Sequence, residues 1–190
     1  MAWMETFTKK KFDLINPEPE MVCIEDVAHA LSNICRFNGH CKSFYCVAQH
    51  SVFVSEICNK ENALWGLLHD AGETYYGDVI TPIKYALKNK SHFATMKLRI
   101  DHAVYRHFLM IPQNCYWENT NDFMPKDVKL ADDIMLATEK AQLMDSLGQV
   151  IKWDGCWKNG IGQPMSDIKI EPLDPESAEK LFLDTFEELS

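Results

Sequence analysis

Residues 66–73 read "GLLHDAGE": a histidine and an aspartate stand side by side in an apolar run, and a glutamate follows three residues after the aspartate. Charge placed in such a run is costly unless something pairs with it. A metal ion would use both side chains, because imidazole and carboxylate are both ligands for divalent metals. Neighbours on a helix point about 100° apart, so His69 and Asp70 reach one ion only at a helix edge, and two ligands do not make a site. His50, in the apolar "VAQHSV", precedes His69 by 19 residues, a separation that suits two adjacent helices joined by a tight turn. A fourth ligand can come from "VKLADDIML", where Asp132 and Asp133 interrupt an apolar helix. Val128, Asp132, Met135 and Glu139 follow 4-3-4 spacing and share one face, whereas Asp133 falls nearer Lys129 and Lys140. The periodicity favours Asp132. Glu139 on the same face is either a support for a ligand or half of a buried ion pair. Each residue also has a structural alternative. A histidine among apolar residues, such as His29, is ordinarily a satisfied core residue, and adjacent aspartates on a helix are ordinarily solvated. His92, His102 and His107 fall in a polar helix and read as surface.

The elements that must position these residues are helical. Residues 1–23 are irregular or a short strand pair, and their end carries two prolines, which stop regular structure. Val27, Leu31, Ile34 and Cys35 recur at helical spacing over 24–37, with Glu25 and Asp26 in the first turn. "NGH" at 38–40 is a turn. A second helix spans 45–59 and a third 61–76, the latter running through the His-Asp pair. Asn59-Lys60 is the one gap between them, which makes a tight hairpin. "GDVITPIKYALK" reads as a loop entering a short helix, 91–109 as a helix, 110–125 as a polar loop, 126–147 as a long helix and 149–173 as irregular. The last helix starts at Asp174 as N-cap, with Pro175 at the first helical position and Glu176 at the positive end of the dipole. The expected class is all-α with a minor N-terminal β element. One domain covers 1–190, its core is at about 24–147, and the helix 174–189 packs on that core.

Composition narrows the function. The 190 residues are 46% apolar and 25% charged, an ordinary globular mix. The net charge of −9 argues against a nucleic-acid binder; a small anionic substrate would need positive charge concentrated locally, by a metal ion or a few Lys and Arg. Seven cysteines with no CxxC pair argue against a disulfide framework or a zinc knuckle, and most read as reduced, buried small hydrophobes. The chain has no 18-residue apolar stretch, and its start lacks the layout of a secretory signal, so no membrane partner is expected and the expected location is cytoplasmic.

His50, then His69-Asp70, then Asp132 resembles the H…HD…D signature of HD-domain phosphohydrolases. The likeness extends through "YCVAQHSVFVS", "LLHDAGETYYGDVITPIKYAL", "VKLADDIMLATEKAQLM" and "AEKLFLDTFEEL", roughly residues 10–188. These stretches look like the subgroup that holds bacterial 5′-deoxynucleotidases and phage dATP triphosphohydrolases, and "IEDVAHALSNICRFNGH" is closer to the phage enzymes and their bacterial relatives. The resemblance implies an HD-domain helical bundle, with His50, His69, Asp70 and Asp132 holding a divalent metal ion: Zn, Co, Mn, Mg, Fe or Ni. It further implies that Glu73 acts near the attacking water as general acid or base and that Asp78 is a second catalytic carboxylate. Asp78 can instead close a turn on its own backbone. For substrate binding, Arg36 matches an arginine that contacts the nucleotide. Phe37 stands where some relatives carry tryptophan against the sugar, and Lys84 matches a lysine near the phosphates. His40, with Lys42 nearby, lies in or beside "NGHC", which varies among relatives near the expected base pocket, so base preference stays open. For Arg36 the alternative is a surface salt bridge with Glu25, Asp26 or a C-terminal acid; for Lys84, Lys88, Lys42 and His40 it is solvent.

Glu73 stands four residues after His69 and three after Asp70, so on a regular helix it shares their face. The expected reaction is hydrolysis of the 5′ phosphoester of a deoxynucleotide, dATP giving deoxyadenosine and triphosphate. A 5′-deoxynucleotidase acting on monophosphates is a second enzyme reading, and a catalytically silent nucleotide-binding module a third, of another class. Cyclic-nucleotide phosphodiesterase activity fits the ligand set but not the rest of the likeness. A homo-oligomer, dimer or hexamer, is expected from the relatives' assemblies.

Overall fold

The computed structural model describes residues 2–80, 83, 91–109, 123–144, 165 and 167–190. It is mostly helical with one small sheet, as the hydrophobic spacing predicts. Strands β1 (Trp3–Glu5) and β2 (Lys11–Asp13) pair antiparallel in the register Trp3↔Asp13, Met4↔Phe12, Glu5↔Lys11. The alternation turns Phe12 inward, fully buried, and its ring stacks on Tyr75 with centroids 3.5 Å apart. The turn of this hairpin is tied down by Asp26, which accepts from the Thr8 N–H at 2.7 Å and the Thr8 hydroxyl at 2.9 Å.

Helix α1 spans Ile24–Asn33. It stops short of the expected Phe37 because Ile34 leaves the helical region and Cys35 bridges Cys46 in extended pairing. Val47 N–H donates to Ile34 O at 3.1 Å and Arg36 N–H to Tyr45 O at 2.9 Å. Phe37 and Asn38 then take left-handed backbone (φ 53° and 51°), followed by Gly39 at φ 76°. Two non-glycine residues in that region are costly and persist only where their surroundings impose them.

Helix α2 (Val47–Ile57) is the centre of the fold. Eight of its residues are buried, on nearly every face, the mark of a helix surrounded by others. It packs on α1, on α3 (Ala63–Leu68), on α6 (Lys126–Leu143) and on α7 (Pro175–Leu189). The hairpin between α2 and α3 contains a single 3-10 turn, Lys60–Asn62. The pair is close: a Cβ on Gly66 would come 2.9 Å from both Cys58 Sγ and Ser55 Cα. Beyond α3, the expected helix over 61–76 breaks at 69–72 and resumes as the short α4 (Glu73–Tyr76). Helix α5 follows at Ser91–Leu109. Most of the segment beyond residue 80 in "GDVITPIKYALK", expected to enter a short helix, and most of the polar loop over 110–125 lie outside the described residues. Helix α6 ends at Leu143 instead of the expected 147, where Met144 takes extended backbone.

Helix α7 starts as its sequence predicts. Asp174 accepts from Ser177 N–H at 2.9 Å, and Pro175 opens the helix. Ala178 and Phe182 bury themselves against Leu31, Val47, Leu67 and Leu68 in the larger core. A smaller core joins Tyr45 and Val54 to Val128, Ala131, Met135 and Leu143 of α6. Two expectations need correction. His29 is not a core residue: its side chain is 37% exposed, stacks on Phe7 and pairs with Glu179 at 2.9 Å. Of the described cysteines, only Cys46 is fully buried; Cys23, Cys35, Cys41 and Cys58 are half-buried.

Candidate metal centre

The break at 69–72 has an identifiable cause. Two carbonyls that would accept i+4 amides are taken by side chains: Gly66 O by the His69 Nδ1–H at 2.7 Å, and His69 O by the Tyr105 hydroxyl at 2.6 Å. The amides turn to tighter partners, Ala71 N to Leu68 O, Glu73 N to Asp70 O and Tyr75 N to Gly72 O, all i→i−3. At three residues per turn Glu73 aligns with Asp70 rather than with His69. The sequence expectation of a regular helical face for all three is thereby corrected.

This turn, α2 and α6 bring the four expected ligands together. His50 Nε2 lies 3.2 Å from Asp132 Oδ1 and 3.9 Å from Asp70 Oδ2; His69 Nε2 lies 3.2 Å from Asp70 Oδ2 and 3.9 Å from Asp132 Oδ1. His50, His69 and Asp70 offer ligand atoms that all fall within 4.8 Å of one another, a group that could hold a metal ion. Both imidazoles are sealed, with side chains 0% and 1% exposed, while Asp70 and Asp132 are 23% and 38% exposed, so the group opens to solvent on its carboxylate side. The donor set fits a cation. Both Nε2 atoms are buried and make no hydrogen bond, and the other nitrogen of each ring is engaged behind it.

Glu139 is that engagement for His50. It is fully buried, its Oε1 lies 2.6 Å from His50 Nδ1 and 3.0 Å from the Tyr45 hydroxyl that donates to it, and its Oε2 accepts from Arg36 Nη2 at 3.0 Å. Of the two readings its spacing allowed, it fills both. It backs a candidate ligand and it pairs with a buried cation. Arg36 is 8% exposed, and its Nη1 stands 3.9 Å from both Asp70 Oδ2 and Asp78 Oδ2. Its partners are these carboxylates rather than Glu25, Asp26 or a C-terminal acid.

The field of the site favours positive charge. Burial and the Arg36 guanidinium both work against protonation of His50, yet Glu139 and Asp132 raise it to about 9. Burial likewise opposes protonation of His69, and Asp70 raises it above its ordinary value. Burial pushes the Asp70 and Asp132 carboxyls up, but the two imidazoles more than reverse this and hold both below the carboxylate range. The carboxylates thus favour positive charge here, and a divalent cation would have to displace any proton from the two Nε2 atoms.

Glu73 is buried at the first position of α4. Asp78 follows Gly77, whose φ of 79° turns the chain, and Asp78 reaches the cluster through Arg36. Phe37 is half-buried with its ring 5.8 Å from Arg36 Cζ. His40 is exposed at the end of the 36–39 turn, and Lys84 lies outside the described residues. Sequence reasoning missed Tyr45 and Tyr105, the hydroxyls behind Glu139 and His69. A buried tyrosine needs a partner for its hydroxyl, but nothing in the spacing says which.

The class that fold and site define is therefore a mostly helical protein with a buried histidine–carboxylate group suited to a metal ion. No family model matches the chain. It is 37% identical over 193 residues to the uncharacterized protein YfdR of Escherichia coli (strain K12), which spans 100% of this chain and 97% of that protein. The chain belongs to the YfdR family. An uncharacterized protein of Rhodobacter capsulatus is 39% identical over 95 residues, 45% of this chain and 48% of that protein. Among the described residues no helix is long and apolar enough to cross a membrane.

Proposed function

We propose that this protein is a metal-dependent HD-type phosphohydrolase that cleaves the 5′ phosphoester of deoxynucleotides, with dATP giving deoxyadenosine and triphosphate. One observation carries the reading: two buried imidazoles, one from α2 and one from the turn after α3, aim bond-free Nε2 atoms at the same pair of carboxylates, in the H…HD…D order of such enzymes. His50, His69, Asp70 and Asp132 would hold a divalent cation, which would supply Lewis acidity to the reacting phosphate and water. The protein's own groups do the rest. Glu73 takes a proton from the attacking water and returns one to the leaving 5′ oxygen. Arg36, held by Glu139 and flanked by Asp78, places a guanidinium beside the phosphate oxygens. Phe37, turned out by its left-handed backbone, gives the sugar an apolar surface. We further propose a cytoplasmic homo-oligomer, which analytical ultracentrifugation tests directly.

The deciding assay is a panel of deoxy- and ribonucleotides, mono- to triphosphate, with Mn²⁺ and product identification. Triphosphate released from dATP is the expected result. Phosphate released from deoxynucleoside monophosphates alone would move the assignment to a 5′-deoxynucleotidase, and binding without turnover would make the protein a silent nucleotide-binding module. Asp70→Asn is expected to abolish turnover with an unchanged circular-dichroism spectrum; full activity in that variant would sink the scheme. Glu73→Ala is expected to lower kcat sharply while nucleotide binding persists.

A further inference from the structure

Helix α5 reads from its sequence as a polar surface helix, yet it buries a charge. Asp101 is 2% exposed and Tyr105 is 2% exposed. With Lys97 they stand at i, i+4 and i+8, on one face. That face meets the 69–76 segment. The Tyr105 hydroxyl donates to His69 O at 2.6 Å. Asp101 Oδ1 accepts from the Tyr76 hydroxyl at 2.9 Å, and Asp101 Oδ2 from Lys97 Nζ at 2.5 Å. The carboxylate also lies against the bare Cα of Gly72: a Cβ there would overlap Asp101 Oδ1 and come 3.1 Å from Tyr76 Oη. Gly72 has ordinary helical backbone angles, so this contact, and no conformational need, excludes a side chain.

Burying a carboxylate is expensive, and desolvation does raise the Asp101 carboxyl above its ordinary value despite Lys97. An apolar residue would fill the space without that penalty. What an apolar residue could not do is accept the Tyr76 hydroxyl at one end of α4 while packing on Gly72 at the other, as Tyr105 holds the carbonyl between the two candidate ligands.

We propose that Asp101 and Tyr105 are positioning residues: from α5 they fix the 69–72 turn in the shape that lets His69 and Asp70 hold a metal ion. This rests on the metal reading above, and it is separable from the assigned hydrolysis. The test is titration calorimetry of the full-length chain with Mn²⁺, alongside thermal unfolding of the metal-free protein. The variants are Tyr105→Phe, Asp101→Asn, Gly72→Ala and the double variant Gly72→Ala/Asp101→Ser. Removing a residue that orients a ligand typically weakens metal affinity by about 10- to 100-fold; that is the loss expected for Tyr105→Phe, Asp101→Asn and Gly72→Ala. The double variant, in which the shorter serine makes room for the new methyl group, is expected to bind Mn²⁺ more tightly than Gly72→Ala alone. Tyr105→Phe removes one hydroxyl and decides the matter if a variant at 101 fails to fold. Lower melting temperatures with Mn²⁺ affinity within about twofold of wild type would show a purely structural role and overturn the proposal, as would a wild type that binds no Mn²⁺. A wild type that binds Mn²⁺ but hydrolyses no deoxynucleotide would overturn the assigned reaction and leave this proposal standing.

Discussion

Glu139 gives one carboxylate to three donors: His50, Tyr45 and Arg36. The isosteric glutamine does not fit that role, because a carboxylate accepts at both oxygens while an amide accepts at one end and donates at the other. Glu139→Gln is therefore expected to turn an amide N–H toward either Arg36 or the His50–Tyr45 side. The variant should lose Mn²⁺ affinity by about 10- to 100-fold in calorimetry, and an unchanged affinity would show that His50 is oriented by packing alone. At this scale much was legible beforehand. The 4-3-4 spacing put Asp132 and the buried Glu139 on one face, and the identities of His50, His69 and Asp70 stood out against apolar neighbours. Arg36 was legible as a residue of interest but not in its partners, because its closest partner, Glu139, is 103 residues away in sequence. Asp101 was not legible at all: its helix reads as polar, and only the packed neighbours show which turn of it is buried.

At the scale of elements, the boundaries moved for identifiable reasons. Helix α1 lost its last turn to the Cys35–Cys46 bridge, a pairing between segments that no periodicity reports. The helix through His69 broke because a tyrosine from α5 and the imidazole of His69 itself took its carbonyls, which is tertiary chemistry acting on local structure. The cap at Asp174 was fully readable, since it involves only residues 174–177. The N-terminal hairpin supplies a pH test. Burial pushes the Asp26 carboxyl up, but bonds from Cys23, Thr8 and Thr6 outweigh it and lower the carboxyl below its ordinary value. The unfolded chain then binds the proton more tightly than the folded one. The contribution is fully present above about pH 4, the ordinary carboxylate value, and is lost as pH falls through the lowered folded one. Melting temperature followed downward from pH 6 is expected to fall more steeply for wild type than for Asp26→Asn, and parallel curves would remove Asp26 as the anchor of the hairpin.

At the scale of the whole molecule, helix α7 closes the larger core. Phe182 is fully buried among residues of α1, α2 and α3. Phe182→Ala is expected to cost about 3–5 kcal/mol, read as a drop in urea midpoint with unchanged slope; a change below about 1 kcal/mol would mean that the helix docks through its ends. The all-α class was legible because apolar residues recur at helical spacing along most of the chain. The way the helices surround α2 was not legible, because that helix is apolar on nearly every side and its periodicity names no single partner.

On α2, Gln49 and His50 are consecutive. The Gln49 amide donates to Glu171 O at 2.8 Å and accepts from Leu173 N–H at 3.0 Å, lashing the irregular segment before α7 to the helix that bears the imidazole. A nascent chain therefore reaches the ribosome's exit with its ligands already made but with this amide and the apolar floor beneath it still exposed. The candidate metal centre should be completed in one late step, when α7 emerges and docks. Until then an ion would find scattered side chains rather than a coordination sphere.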